Sequence, residues 1–148
     1  MTYTIKEVSE KVNLSIYTLR FYDKQGLLPF VARNQSGYRE FTDGDLNLIH
    51  TICCLKDTGM KLDDIRQYIK YVMGGPATIE QRKALLKKHR HEVELQQQKI
   101  ADNLKEIDYK LDVYENPQAK EIVAQELQFV TNEKIANNLP NPYHVVAQ

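Results

Sequence analysis

Apolar side chains recur at intervals of three and four along most of the chain, and polar or glycine-rich breaks cut that recurrence into helical lengths. Thr4 and Glu7 stand three apart, as the two halves of a capping box do, and open a short helix over Ile5 and Val8. Val12 and Asn13 make a turn. Ser15 caps a second helix, SIYTLRFYDKQ, which Gly26 closes. Thr42 and Asp45 mark a third start, followed by Leu46, Ile49, Ile52, Cys53 and Leu55 at near-helical spacing up to Gly59. The fourth segment places Leu62, Ile65, Tyr68, Ile69 and Val72 on one face. Asp63 and Asp64 occupy its first turn, where the helix dipole favours anions. Gly74, Gly75 and Pro76 then interrupt the chain at its clearest internal boundary.

From Ala77 to Glu115 there is neither Gly nor Pro, and as one helix these 39 residues extend about 58 Å. Toward the end the apolar positions alternate by four and three through Ile100, Leu104, Ile107, Leu111 and Tyr114, a coiled-coil seam. Carried backwards, the register puts Ile79, Leu86 and Val93 on one seam line and Lys83, Arg90 and Gln97 on the other. A long helix with a seam only partly apolar is not stable alone and needs a partner, most simply a second copy. Asn116 and Pro117 end this helix and can start another, as cap and first residue, over Ile122, Val123 and Leu127. NNLPNPYHVVAQ reads as an irregular tail.

Between the second and third helices, FVARNQSGYREF sets Arg33 and Arg39 on either side of a turn from Asn34 to Gly37. Two short helices followed by a basic ribbon suit a double-helical groove and its phosphate walls. Charge supports that reading only when resolved along the chain, because the formal total is zero. Residues 1–39 hold six basic side chains against three acidic ones, a net +3, whereas residues 40–64 hold two against six, a net −4. Positive charge collects where a groove-binding unit needs it, and the local field matters more than the sum.

The chain's 148 residues suffice for one modest domain plus an extension. No stretch approaches the roughly twenty consecutive apolar residues of a membrane-spanning helix, and the N-terminus lacks a signal peptide's basic start and apolar run. The adjacent Cys53 and Cys54 cannot build a disulfide framework. Reduced thiols fit the cytosol, so the expected location is cytoplasmic, with no membrane partner.

Several pieces of this pattern are specific: Thr18-Leu19-Arg20-Phe21-Tyr22, then Gly26-Leu27-Leu28-Pro29, then Gly37-Tyr38-Arg39, with LKDTGMKLDDI beyond them. In that order, over residues 2 to about 73, they closely resemble the DNA-binding domain of the MerR family of bacterial transcription regulators. The resemblance implies a mainly α fold, in which a winged helix-turn-helix domain is followed by a long coiled-coil dimerisation helix. Its expected parts are a DNA-binding domain over 1–75 (helix-turn-helix about 4–25, wing about 29–41), an antiparallel dimerisation helix over 76–116, and a short helix and tail over 117–148. An antiparallel pair lays the polar half of each seam on the apolar half of its partner, where the stems of Lys83, Arg90 and Gln97 cover apolar surface. Leu86, Val93, Ile100, Leu104, Ile107, Leu111 and Tyr114 are the expected dimer contacts. The family binds pseudo-palindromic operators in promoters with overlong spacers. It realigns the promoter for RNA polymerase by bending and untwisting the duplex, which is deformation energy supplied by differential contacts in two protein states.

At 100° per residue, Leu14, Ser15, Thr18, Phe21, Tyr22 and Gln25 share one face of the second helix, assigned to DNA. Ile16, Leu19 and Asp23 share the other, assigned to the core, with Arg20 beside them. Ser15, Tyr17 and Thr18 are the expected readers of base edges or nearby phosphates, and Phe21 and Tyr22 rest on the backbone or, alternatively, fill the core. Arg20 reaches a phosphate or pairs internally. Arg33, Tyr38 and Arg39 are the expected phosphate clamps of the wing, and Lys61 is a further candidate at the start of the fourth helix.

The family's metal sensors carry cysteines near the end of the dimerisation helix, and residues 77–148 contain none. His89 and His91 point about 200° apart on a helix and do not share a metal, so no metal and no cofactor are expected. A branch of the family that responds to aldehydes, electrophiles or nitrosative stress has a single cysteine in the third helix, five residues before the Gly that ends it. Cys54 stands five before Gly59 and is the sensor candidate; its alternative role, like that expected of Cys53, is to pack as a small apolar side chain. Two other classes are open to such a sequence: a coiled-coil adaptor that binds no DNA, against which the basic hairpin and the aromatic-rich second helix argue, and an enzyme using Cys54 with His50. The second lacks a phosphate loop, an oxyanion donor or a cofactor motif.

Overall fold

A computed structural model describes residues 1–144. In chain order the elements are β1 (Thr2–Tyr3), α1 (Ile5–Val12), α2 (Ile16–Lys24), β2 (Ala32–Arg33), β3 (Arg39–Thr42), α3 (Asp43–Asp57), α4 (Leu62–Met73), a 3-10 turn (Gly75–Thr78), α5 (Ile79–Glu115) and α6 (Ala119–Ala136).

Side-chain caps start the first three helices. The Thr4 hydroxyl accepts from the Glu7 N–H and the Glu7 carboxylate accepts from the Thr4 N–H, and Thr42 and Asp45 repeat this box at α3. Ser15 caps α2 by accepting from the Thr18 N–H at 3.0 Å. Asn13, in the left-handed region at φ 54°, makes the tight reversal between α1 and α2. The end of α4 is satisfied from a distance: Arg82 of α5 donates to the Gly75 carbonyl at 2.6 Å and to the Tyr71 and Val72 carbonyls at 3.3 Å.

The chain forms two compact units, Met1–Gln96 and Gln97–Gln148. In the first, α1, α2, α3 and α4 enclose Val8, Leu19, Leu27, Leu28, Phe41, Ile49, Ile52, Ile65 and Ile69, all nearly or wholly buried. Each Leu or Ile so buried contributes about 1.5–3 kcal/mol. A small antiparallel sheet closes one edge in the order β1-β3-β2, with Thr2 opposite Thr42 and Ala32 opposite Glu40. β1 was not expected from the sequence, because two residues are too few to show alternation.

This unit extends beyond the boundary expected at residue 75. Leu85 and Leu86, in the first turns of α5, pack half-buried against the core, and His89 is buried. Leu86, expected on the seam, is thus partly covered by its own chain.

In the second unit, Ile100, Leu104, Ile107, Leu111 and Tyr114 are all exposed, and so are Val123, Phe129 and Ile135 of α6. α6 begins two residues later than Asn116–Pro117 suggested. Asn116 turns the chain instead, its side-chain oxygen accepting from the Gln118 N–H at 2.8 Å. Of the expected tail, residues 145–148 lie outside the described residues.

Candidate nucleic-acid interface

The charged side of the first unit is built on α2. Leu19 and Tyr22 turn inward, and the exposed stripe is Tyr17, Arg20, Phe21 and Lys24, spaced three, four and seven apart. Tyr17 is 83% exposed. The expected face is thus rotated. Tyr22 is only 7% exposed and lies in the hydrophobic core, which corrects its assignment to the DNA backbone. Burial holds its phenol above the ordinary pKa, with Cys53 and Asp57 adding to the effect. Lys24 was missed, although its spacing from Tyr17, Arg20 and Phe21 carries the signal. Ser15 and Thr18 stand at the helix start with their hydroxyls 2.9 Å apart.

Behind α2 runs the wing. The Asn34 side-chain oxygen accepts from the N–H groups of Ser36 (3.0 Å) and Tyr38 (3.1 Å), and Gly37 supplies φ 84° to complete the turn. Arg33 is exposed and donates to the Gly37 carbonyl at 2.7 Å, which steadies its stem beside the turn. Tyr38 is 73% exposed.

Arg39 departs from expectation. Its Nη2 donates to Asp23 Oδ1 at 2.6 Å, its Nε donates to Asp23 Oδ2 at 3.1 Å, and its Nη1 donates to the Val31 carbonyl. A guanidinium committed on three sides is not a free phosphate clamp, so that assignment is corrected. Arg20, for which an internal pair was the alternative, is exposed and forms no ion pair among the described residues; the nearby Asp23 is taken by Arg39. A cleft of about 600 Å³ separates wing and helix, with Arg20, Arg33, Asn34 and Tyr38 along it. Lys61 is exposed at the start of α4.

The two cysteines differ in setting. Cys54 is exposed on α3, and Cys53 is half-buried against the core. Burial, then the Asp57 carboxylate, then Cys54 raise the Cys53 thiol above its ordinary pKa. Among the described residues no three His, Cys, Asp or Glu side chains gather in a metal-binding cluster. His50 is exposed on α3.

A capped helix-turn-helix followed by a two-stranded wing with exposed cations defines a winged helix-turn-helix DNA-binding module. Comparison with known proteins agrees. Residues 3–72 match the profile described as MerR HTH family regulatory protein, and residues 46–110 the profile described as MerR, DNA binding. An HTH-type transcriptional regulator of Haemophilus influenzae is 43% identical over 119 residues, covering 80% of this chain and 88% of that protein. YyaN, an HTH-type regulator of Bacillus subtilis, is 32% identical over 127 residues, 77% of this chain and 91% of its own. Among solved structures, HiNmlR, described as a MerR family regulator lacking the sensor domain and bound to promoter DNA, is similar with a TM-score of 0.73. It is 43% identical, and the match covers 80% of this chain and 94% of that one. A MerR family regulator from Bacillus thuringiensis has a TM-score of 0.70 at 41% identity, covering 75% and 97%. This chain belongs to the MerR family of DNA-binding transcriptional regulators. Its relatives are regulators, not enzymes. No helix among the described residues is long and apolar enough to cross a membrane.

Proposed function

We propose that this regulator binds a pseudo-palindromic promoter operator as a homodimer and switches transcription by bending and untwisting the duplex for RNA polymerase. The observation that carries the reading is the free cationic and aromatic stripe Tyr17–Arg20–Phe21–Lys24 on α2, with Arg20 sharing one cleft with Arg33 and Tyr38 of the wing. Helix residues near Ser15, Tyr17 and Thr18 read the groove, and Arg20, Lys24, Arg33, Tyr38 and Lys61 hold phosphates. The similarity to HiNmlR, which is bound to promoter DNA, supports this use of the surface.

Pairing through α5 is supported by the row Ile100, Leu104, Ile107, Leu111 and Tyr114, which a lone chain leaves in water. Antiparallel pairing sets that row against Lys83, Arg90 and Gln97 and places one DNA-binding unit at each end. Val93, half-buried, continues the row.

Cys54 is the proposed sensing thiol. It is exposed on α3, and its carbonyl accepts from the Thr58 hydroxyl at 2.8 Å, so a change of its volume or charge acts where α3 ends and α4 begins. A thiol-reactive inducer adds to Cys54 and alters the relative stability of the two DNA-bound states.

Footprinting on the chain's own promoter, with affinity followed against salt and with a transcription readout, tests the reading. Two-fold protection, steep salt dependence and a bend that changes when inducer is added are expected. Salt-insensitive association, or protection of a single half-site by a monomer, overturns it.

A further inference from the structure

We infer that Asp23 and Arg39 are a positioning pair for DNA recognition, so that Asp23, an acid on the DNA-binding unit, raises affinity for DNA. The inference rests on the DNA-binding reading above.

Asp23 lies in the last turn of α2, and Arg39 begins β3 sixteen positions later. Their contact is bidentate, at 2.6 and 3.1 Å, with the two planar groups presenting paired donors to paired acceptors. The third donor, Nη1, goes to the carbonyl of Val31, a buried residue just before β2. One guanidinium thus ties the end of the recognition helix to both strands of the wing at its base. The two side chains are only 24% and 26% exposed, so the pair is shielded more than an ordinary surface ion pair.

The wing needs such a tie. β2 has two residues and pairs with β3 only through Ala32–Glu40 and Arg33–Arg39. A ribbon that short does not hold its own direction. Phosphate contacts fix a protein's register on the duplex only if the groups making them are already placed. Arg33 and Tyr38 are carried on this ribbon, and Arg20 on the helix it is tied to.

The electrostatics give the inference an unusual sign. Asp23 lines the same cleft as Arg20 and Arg33, where a carboxylate repels phosphate. If surface charge alone mattered, replacing it with a neutral amide would tighten binding. If geometry matters more, the same replacement weakens it. In the wild-type protein Arg39 is neutralised by its partner and adds little to the count of phosphate contacts.

The test compares wild type, Asp23→Asn, Arg39→Lys and the double variant on one operator duplex across a salt series, with Arg20→Ala as control. At a temperature where circular dichroism finds every protein folded, Asp23→Asn and Arg39→Lys are each expected to bind roughly three- to tenfold more weakly. The slope of log affinity against log salt stays as in wild type, and the double variant binds no worse than either single one. Amide exchange quickens in residues 31–39 and not in α3 or α4. Loss of fold stability alone does not produce that combination. Arg20→Ala lowers the slope by about one, which shows that the assay counts phosphate contacts. Unchanged or tighter binding by Asp23→Asn overturns the inference, as does a slope lowered by Arg39→Lys. Wild type that does not bind duplex DNA overturns the DNA-binding reading instead. Arg39→Lys, which keeps charge and stem, carries the test if Asp23→Asn does not fold.

Discussion

His89 Nε2 lies 2.7 Å from Thr58 Oγ1, and the two residues join α5 to the turn between α3 and α4. The Thr58 hydroxyl has one hydrogen, and the Cys54 carbonyl accepts it at 2.8 Å. The same hydroxyl oxygen is thus shared between the end of α3 and the His89 ring, which ties the two together. Gln96 adds a second stitch by donating to the Thr58 carbonyl at 3.1 Å. The turn that follows Cys54 is thereby held by the helix that carries the proposed dimer seam.

Thr58→Val removes the hydroxyl and leaves the buried His89 ring nitrogen without its partner. It is expected to destabilise the protein by about 1–3 kcal/mol, measured by urea unfolding. In a double-mutant cycle with His89→Ala the two losses are expected not to add. Additive losses would mean that the contact contributes nothing.

Lys24 completes the exposed stripe of α2. Lys24→Ala is expected to weaken binding to all duplexes alike and to lower the salt slope by about one, as expected for a phosphate contact. A change confined to one base position would assign Lys24 to sequence reading instead.

Leu104 is half exposed in the middle of the apolar row of α5. Leu104→Asp places a charge opposite a partner's apolar side chains and is expected to give monomers by sedimentation equilibrium. A dimer that persists moves the interface away from this row.

The two thiols are expected to react at different rates. Cys54 is exposed, whereas Cys53 is half-buried with its pKa raised above the ordinary thiol value. A raised pKa means less thiolate at neutral pH, and thiolate is the nucleophile. Iodoacetamide at pH 7.5 should therefore mark Cys54 first by peptide mass spectrometry, with Cys53 catching up as pH rises through its raised pKa. Cys54→Ser is expected to bind operator normally and to lose any transcriptional response to aldehydes. Faster labelling of Cys53 would shift attention to that residue.

Much of the fold was readable because its signals are local. Thr4 with Glu7, Ser15, and Thr42 with Asp45 each satisfy N–H groups within a turn, so their spacing alone locates helix starts. The Asn34–Gly37 turn is likewise a property of neighbouring residues. The site was harder to read. Basic residues near a helix-turn-helix all look like phosphate ligands until their partners are known. Arg39, expected as a clamp, is paired, and Arg20, for which both roles were open, is left free, because one carboxylate, Asp23, lies within reach of Arg39.

From the chain alone came the helices, the caps of the first three, the basic hairpin, the apolar row of α5 and the family to which they belong. Each is encoded by residues within a few positions of one another, or by a period that survives without a partner. Tertiary structure decided which side of α2 faces outward, placing Tyr22 in the core and Lys24 in solvent. It also took Arg39 out of the free cationic surface, tied Leu86 and His89 into the first unit, and added β1 to the sheet. Those outcomes depend on which residues distant in sequence come to share one interior, and neither helical period nor side-chain charge specifies that.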